Sequence, residues 1–94
     1  MGDVSLSSTA RISDDTVFRE LEGEAVLLNL ALGTYYGLDE VGTRIWQLIQ
    51  RFGRLDVVRD ALIQEFDVEP PTAERDLLDL VAQLAAQGLV ELEE

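Results

Sequence analysis

The chain has 94 residues, 47% of them hydrophobic, and a formal net charge of −12 at pH 7. This length and hydrophobic share suffice for one domain with its own core, spanning residues 1–94. The chain contains no cysteine and no histidine, which excludes disulfides, thiolate or imidazole metal sites, and Ser-His or Cys-His catalytic pairs. The negative charge disfavours nucleic acid and anionic membranes as partners, and we expect a cytoplasmic protein.

The N-terminal half is rich in β-forming residues that short turns interrupt. Residues 1–15 are polar, and we expect a flexible or weakly paired segment with two short strand pieces, "VSL" and "ARI". The runs "TVFREL", "EGEAVLLNL" and "TYYGL" then predict three strands. Glu22-Gly23 suits a two-residue hairpin turn, and Gly33 permits a second turn. Three strands with such short connections predict an antiparallel meander.

Helical periodicity begins after the third predicted strand. Asp39 is a suitable N-cap for a first helix that ends at Gly53. Asp56 is expected to cap a second helix. Pro71 falls in the first turn of a third helix, which ends at Gly88. The residues expected to face the core recur at helical spacing; they are Val41, Ile45, Leu48, Ile49 and Phe52, then Val58, Ala61, Leu62 and Phe66, then Ala73, Leu77, Leu80, Val81 and Leu84.

The order of these elements predicts an α+β fold, in which a three-stranded antiparallel sheet is followed by three helices. The run "LVEL" (89–92) adds the option of a short C-terminal strand. Trp46 lies beside the apolar stripe of the first helix, so we expect it at the rim of the core.

Two adjacent tyrosines, Tyr35 and Tyr36, lie in the third predicted strand. Neighbouring residues of a strand point to opposite faces. If Leu38 points inward, Tyr36 and Thr34 share its face, whereas Tyr35 and Gly37 point outward. This strand is also an edge of the meander unless residues 1–15 or "LVEL" cover it, and it has no charge or proline to prevent pairing. The pattern fits either an ordinary strand with one surface tyrosine or an edge that binds another chain.

The third helix has a second apolar line, Leu78, Ala82 and Ala85, beside its core stripe. Such small side chains would leave a shallow trough, although a wide core stripe explains the same pattern. Asp76 and Asp79 lie three residues apart, and paired carboxylates can perform acid–base chemistry or bind a metal. Because helix caps and solvated faces account for the carboxylates, we expect no catalysis, no metal and no cofactor.

Two stretches resemble the signature regions of the PqqD-like proteins: "VLLNLALGTYYGLDEVGTRIWQLI" (26–49) and "AERDLLDLVAQLAAQGLV" (73–90). These domains recognise the leader peptides of ribosomally made, post-translationally modified peptides. The resemblance covers roughly residues 16–92 and implies a winged-helix-like fold of three strands and three helices. Within the family, "LNLALGTYYGLDEVGTRIW" is most similar to the small stand-alone B1-type proteins of lasso-peptide clusters. The protein of pyrroloquinoline quinone biosynthesis is a more distant resemblance and stays as an alternative.

The resemblance implies a non-catalytic module that captures a leader peptide by β-strand addition, in a cleft between the third strand and the third helix. It implies as partners the leader segment of a precursor peptide, a leader peptidase that resembles a Cys protease, and optionally an ATP-dependent cyclase. The candidate peptide-binding residues are Gly33, Thr34, Tyr35, Tyr36, Gly37 and Leu38 on the strand, and Leu78, Ala82 and Ala85 with the acidic Asp76 on the helix.

A winged-helix order also suggests DNA binding as a competing hypothesis. A recognition helix needs Arg or Lys side chains for phosphates and base edges. The third helix offers only Arg75 among the acidic residues Glu74, Asp76 and Asp79. The sequence therefore favours peptide over nucleic acid as the partner.

Overall fold

The computed structural model describes residues 4–22 and 24–93, apart from the side chain of Leu21. The described residues form five strands and three helices: β1 (Thr9–Ile12), β2 (Thr16–Leu21), β3 (Glu24–Asn29), β4 (Thr34–Leu38), α1 (Glu40–Phe52), α2 (Leu55–Glu65), α3 (Pro70–Ala86) and β5 (Val90–Glu93). The predicted α+β fold, with three antiparallel strands before three helices and a short strand at the C-terminus, is confirmed. No helix in the described ranges has the length and hydrophobicity that a membrane span requires.

The main sheet has the strand order β2-β3-β4 and is antiparallel throughout. Leu21 pairs with Glu24, so two residues connect β2 to β3. The first of them, Glu22, adopts a φ of 53°; Gly23, the other half of the predicted turn, lies outside the described residues. In the second turn Gly33 has a φ of 73° and donates its N–H to the Asn29 carbonyl at 2.8 Å. These turns fix the meander.

A second, two-stranded sheet joins the two ends of the chain. β1 pairs with β5 in antiparallel register, from Thr9 opposite Glu93 to Ile12 opposite Val90. Part of residues 1–15 is therefore ordered as a strand, and the strand predicted at 89–92 begins one residue later. Because β1 and β5 pair with each other, neither of them covers β4, which remains the last strand of its sheet within the described residues.

The helices share one core with the inner face of the main sheet, where α1 contacts β4. Asp39 caps α1 as predicted, because its Oδ1 accepts the Gly42 N–H at 2.7 Å. Trp46 was expected at the rim of the core, but it is only 1% exposed. The reason is that α1 contacts β1, β4 and α2, which buries a wider stripe than one sheet would. Val41 and Phe52, at the ends of the predicted stripe, are each 43% exposed.

The start of α2 differs from the prediction. The helix begins at Leu55, so Asp56 lies in its first turn and Arg54 occupies the N-cap without a side-chain hydrogen bond. The Leu55 side chain is fully buried, and its N–H donates to the Ser8 carbonyl at 3.1 Å. A backbone contact from the N-terminal segment thus satisfies an N–H that a capping side chain would otherwise accept.

Candidate functional site

The side chains of β4 alternate between the two faces of the sheet. Leu38 is buried and Tyr36 and Thr34 are half-buried, whereas Tyr35 is 72% exposed and Gly37 is exposed. This is the orientation that strand periodicity predicts when Leu38 points inward. Tyr36 therefore lies on the face that the helices cover, and Tyr35 lies on the opposite face.

Two hydrogen bonds connect the first half of β4 to the C-terminal part of α3. The Tyr36 hydroxyl bonds the Gln83 side-chain oxygen, and the Thr34 hydroxyl donates to the Gln87 carbonyl at 2.9 Å. As β4 proceeds from Thr34 to Tyr36, its contacts on α3 move back from Gln87 to Gln83, so the two elements run antiparallel. The residues that follow Tyr36 are therefore directed toward the N-terminal half of α3.

A cleft of about 380 Å³ opens where β4 ends, between the start of α1 and α3. We name it the β4 cleft. α3 contributes residues spaced by three or four positions, which is one face of a helix. The lining residues are Tyr36, Gly37, Leu38, Asp39, Val41, Gly42, Ile45, Asp76, Asp79, Leu80 and Gln83.

The β4 cleft combines apolar side chains with carboxylates. Val41 and Leu80 are partly exposed in it, above the buried Leu38 and Ile45. Its charged side chains are Asp39, Asp76 and Asp79, and no arginine lines it. Within the described residues these carboxylates form no cluster suited to a metal ion. An apolar surface bordered by negative charge favours a partly apolar, cationic occupant.

The structure brings some of the predicted site residues to this cleft and leaves others away from it. Tyr36, Gly37, Leu38 and Asp76 line the cleft. Thr34 lies on the same face one step earlier along β4. Gly33 lies in the preceding turn, where an added Cβ would meet nothing within 4 Å, and Tyr35 lies on the outer face.

The apolar line predicted on α3 is not part of the β4 cleft. Leu78 and Ala85 are half-buried and pack against the core, and Ala82 is exposed. None of the three lines the cleft. The face of α3 that does so lies next to this line and is largely polar, so a search for small apolar residues missed it. Any role of these residues in binding stays a prediction.

Seven lining residues were not among the candidate peptide-binding residues of the sequence analysis. The available sequence signal was helical spacing, because the other α3 residues of the cleft follow Asp76 at intervals of about one and two helical turns. That spacing identifies a cleft wall only once the position of the α1 N-terminus is known, and no spacing within α3 reveals that position. These seven residues are Asp39, Val41, Gly42, Ile45, Asp79, Leu80 and Gln83.

A second cleft, of about 250 Å³, lies near the β2 side of the sheet and is named the β2 cleft. It is lined by Glu20, Glu40, Thr43, Arg44, Gln47, Glu65 and Phe66. Arg44 bonds both carboxylate oxygens of Glu65, at 2.6 and 2.8 Å. These bonds hold the pKa of Glu65 below its usual value and raise the pKa of Arg44. Arg44, Glu65 and Gln47 of this cleft thus have partners within the chain.

Comparison with known proteins identifies the family. Two solved structures are similar: TbiB1 in complex with the TbiA(beta) leader peptide, at 46% identity over 86% of this chain and 94% of that chain (TM-score 0.80), and a lasso peptide synthetase B1 complexed with the leader peptide, at 27% identity over 88% and 98% (TM-score 0.73). No curated protein sequence matches the chain. The family model for coenzyme PQQ synthesis protein D (PqqD) matches residues 24–90, from β3 to the start of β5, and on this match the chain belongs to the PqqD family.

Proposed function

We propose that the protein is a leader-peptide-binding module of lasso-peptide biosynthesis, which captures a segment of a ribosomal precursor peptide as an additional strand beside β4. The observation that carries the proposal is the free edge of β4, which ends at the β4 cleft. The two similar solved structures support this occupant, because both are complexes with a leader peptide.

Strand addition explains how one small surface binds a peptide firmly and selectively. The backbone N–H and C=O groups on the free edge of β4 pair with those of the guest and give affinity that does not depend on the guest sequence. Alternate side chains of the guest then project toward the helices. Those near Gly37 and Leu38 meet the β4 cleft, which supplies the selection.

The proposed role is binding without chemistry. The chain has no cysteine and no histidine, so the hydrolysis of a leader by a Cys-His pair has to occur on another protein. The module would present its guest to a leader peptidase that resembles a Cys protease, and an ATP-dependent cyclase is a further candidate partner. The bound leader then raises the local concentration of precursor at these enzymes.

Membership of the PqqD family gives weaker support to a second candidate function, the capture of the precursor peptide of pyrroloquinoline quinone. It uses the same strand edge with a different guest. DNA binding has little support, because α3 directs Asp76 and Asp79 toward its open cleft and the net charge is −12. Competition between the TbiA(beta) leader peptide and a pyrroloquinoline quinone precursor peptide for the protein distinguishes the two peptide hypotheses.

Amide hydrogen exchange tests the mode of binding. Peptides are first selected on the purified protein from a displayed random library, and exchange is then measured with and without the tightest of them. We expect amides of β4 that do not bond to β3 to gain protection. Protection confined to β2, the other edge of the sheet, would place the guest elsewhere, and the absence of any selected peptide would refute peptide binding.

N-methylation of the selected peptide provides a second test of strand addition. An added strand donates to β4 only from alternate residues. Methylating those N–H groups should weaken binding by about tenfold each, since about 1 kcal/mol of hydrogen bonding is lost and the methyl group also collides with β4. Methylation of the intervening residues should change the affinity little. A uniform response along the peptide would argue against a strand.

A further inference from the structure

The groove between β4 and α3 is closed at one end and open at the other. The hydrogen bonds of Thr34 to Gln87 and of Tyr36 to Gln83 join the two elements at the start of β4. Among the described residues no side-chain hydrogen bond joins Leu38 or the residue after it to α3. An inward side chain of a guest strand can therefore enter the helix layer only at the open end, which is the β4 cleft.

The apolar part of the β4 cleft suits a long side chain. Leu38 and Ile45 are 7% and 2% exposed and form its base, while Val41 is 43% exposed and Leu80 is half-buried. A chain of methylene groups that covers the two exposed side chains removes apolar surface from water on both partners. Lysine and arginine bury such stems while their charged ends stay hydrated.

The charges at the rim decide which long side chain is favoured. Asp76 and Asp79 lie one helical turn apart on α3, and Asp39 stands opposite them at the start of α1. Asp39 already accepts the Gly42 N–H, and within the described part of the chain Asp76 forms an ion pair only with the exposed Arg75, at 3.6 Å. At that distance and exposure the ion pair is weak. The rim therefore presents carboxylates that a cation from a guest can approach.

We infer that the β4 cleft selects a lysine or arginine of the bound peptide, at the inward position next to the end of β4. This inference rests on the proposed function, because it specifies the guest of the same site. The methylene groups of the guest residue pack on Val41 and Leu80, and its cation lies between Asp76 and Asp79. An acidic residue at the same position is repelled, which makes the cleft a filter for the charge of the guest.

Selection from a displayed random peptide library tests this inference. The library is panned on the native protein, on the double variant Asp76→Asn/Asp79→Asn, and on the control Asp15→Asn/Asp67→Asn, which removes the same charge from exposed residues outside both clefts. We expect Lys or Arg at one fixed position of the enriched motif for the native protein and the control. The cleft variant should enrich the same motif without that position. Circular dichroism verifies that all three proteins are folded.

A titration of one selected peptide quantifies the contact. Replacing its basic residue by methionine keeps the length of the stem and removes the charge, and should weaken binding to the native protein about tenfold. The same replacement should matter little to Asp76→Asn/Asp79→Asn. Equal losses for both proteins, or an enriched motif with no basic position, would overturn this inference and leave strand capture intact. The absence of any enriched peptide would contradict the proposed function itself.

Discussion

The two clefts lie beside the same helix α1 and differ in what neutralises their charges. In the β2 cleft, Arg44 forms a two-pronged ion pair with Glu65 from α2. In the β4 cleft, carboxylates from α3 have no arginine among the lining residues. Arg44 offsets one carboxylate of the β2 cleft, whose other acidic side chains are Glu20 and Glu40, whereas no cation lines the β4 cleft. A cationic guest therefore gains more at the β4 cleft, which favours this cleft as the proposed binding site.

The two edge strands of the main sheet, β2 and β4, also differ in how readily another chain could pair with them. β2 carries Arg19 and Glu20, both exposed, and charges of this kind discourage a second chain from pairing with an edge. β4 has the sequence "TYYGL", with no charge and no proline. The protected edge accompanies the cleft with the internal ion pair, and the unprotected edge accompanies the open cleft. The strand edge and the cleft lining therefore favour the same surface for the proposed binding.

Giving the β4 cleft an internal cation should produce the largest effect. In Gln83→Arg the new guanidinium lies four residues after Asp79 on α3, where it can pair with that carboxylate. We expect the affinity for a basic selected peptide to fall by at least tenfold, or about 1.4 kcal/mol, measured by titration calorimetry.

Ala82→Arg is the matched control for that change, because it adds the same charge at the neighbouring position outside the cleft. It also decides between two placements of the site. The apolar pattern of the sequence predicts that the cleft wall is the line Leu78, Ala82 and Ala85, whereas the geometry assigns the wall to the line of Gln83. A larger loss for Ala82→Arg than for Gln83→Arg would restore the sequence-based placement.

The difference between these placements shows what the sequence alone could predict. The orientation of Tyr36 and Leu38 follows from the period of a strand, which depends only on local backbone geometry. The face of α3 that borders the cleft depends instead on how the helix is rotated about its axis. That rotation is set by the burial of Leu77, Val81 and Leu84 against elements distant in sequence. Trp46 was misplaced for a related reason, since it lies on a helix that packs against β1, β4 and α2, which are distant from one another in sequence.

Removal of Asp39 separates the carboxylate that supports the fold from those available to a guest. Asp39→Ala leaves the Gly42 N–H without its acceptor, and loss of an N-cap costs about 1 kcal/mol of the free energy of unfolding. Glu69→Ala is the control, because Glu69 occupies the N-cap of α3 without a side-chain hydrogen bond and should cost much less. Urea denaturation measures both, and equal losses would show that Asp39 does not act as a cap.

The hydroxyl groups of the two tyrosines should differ in their contributions to the free energy of unfolding, by less than the loss expected for Asp39→Ala. Tyr36→Phe removes the hydrogen bond to Gln83 at the closed end of the groove. Because that contact is exposed, we expect a loss of about 0.5 kcal/mol in the free energy of unfolding, at the low end for a hydrogen bond. Tyr35→Phe changes a side chain that is 72% exposed on the other face and should have no measurable effect. Similar denaturation midpoints for the two variants would contradict this assignment.

The smallest effect is expected in the β2 cleft, at the ion pair between Arg44 and Glu65. Hydrogen bonds from Arg44 lower the pKa of Glu65, so the folded state binds the proton of this carboxyl less readily than the unfolded state does. The stabilisation is therefore complete above the unfolded pKa of about 4.3 and is lost as the pH falls through the lower pKa of the folded state.

Glu65→Gln should reduce the thermal midpoint slightly at pH 7, because both side chains are partly exposed and such pairs contribute little. The difference from the native protein should shrink as the pH is lowered through 4 and should shrink at pH 7 when salt is added. Peptide binding at the β4 cleft should be unaffected at pH 7. A loss of binding in this variant would show that the two clefts are coupled through α1, and a midpoint difference that grows at low pH would contradict the direction of the pKa shift.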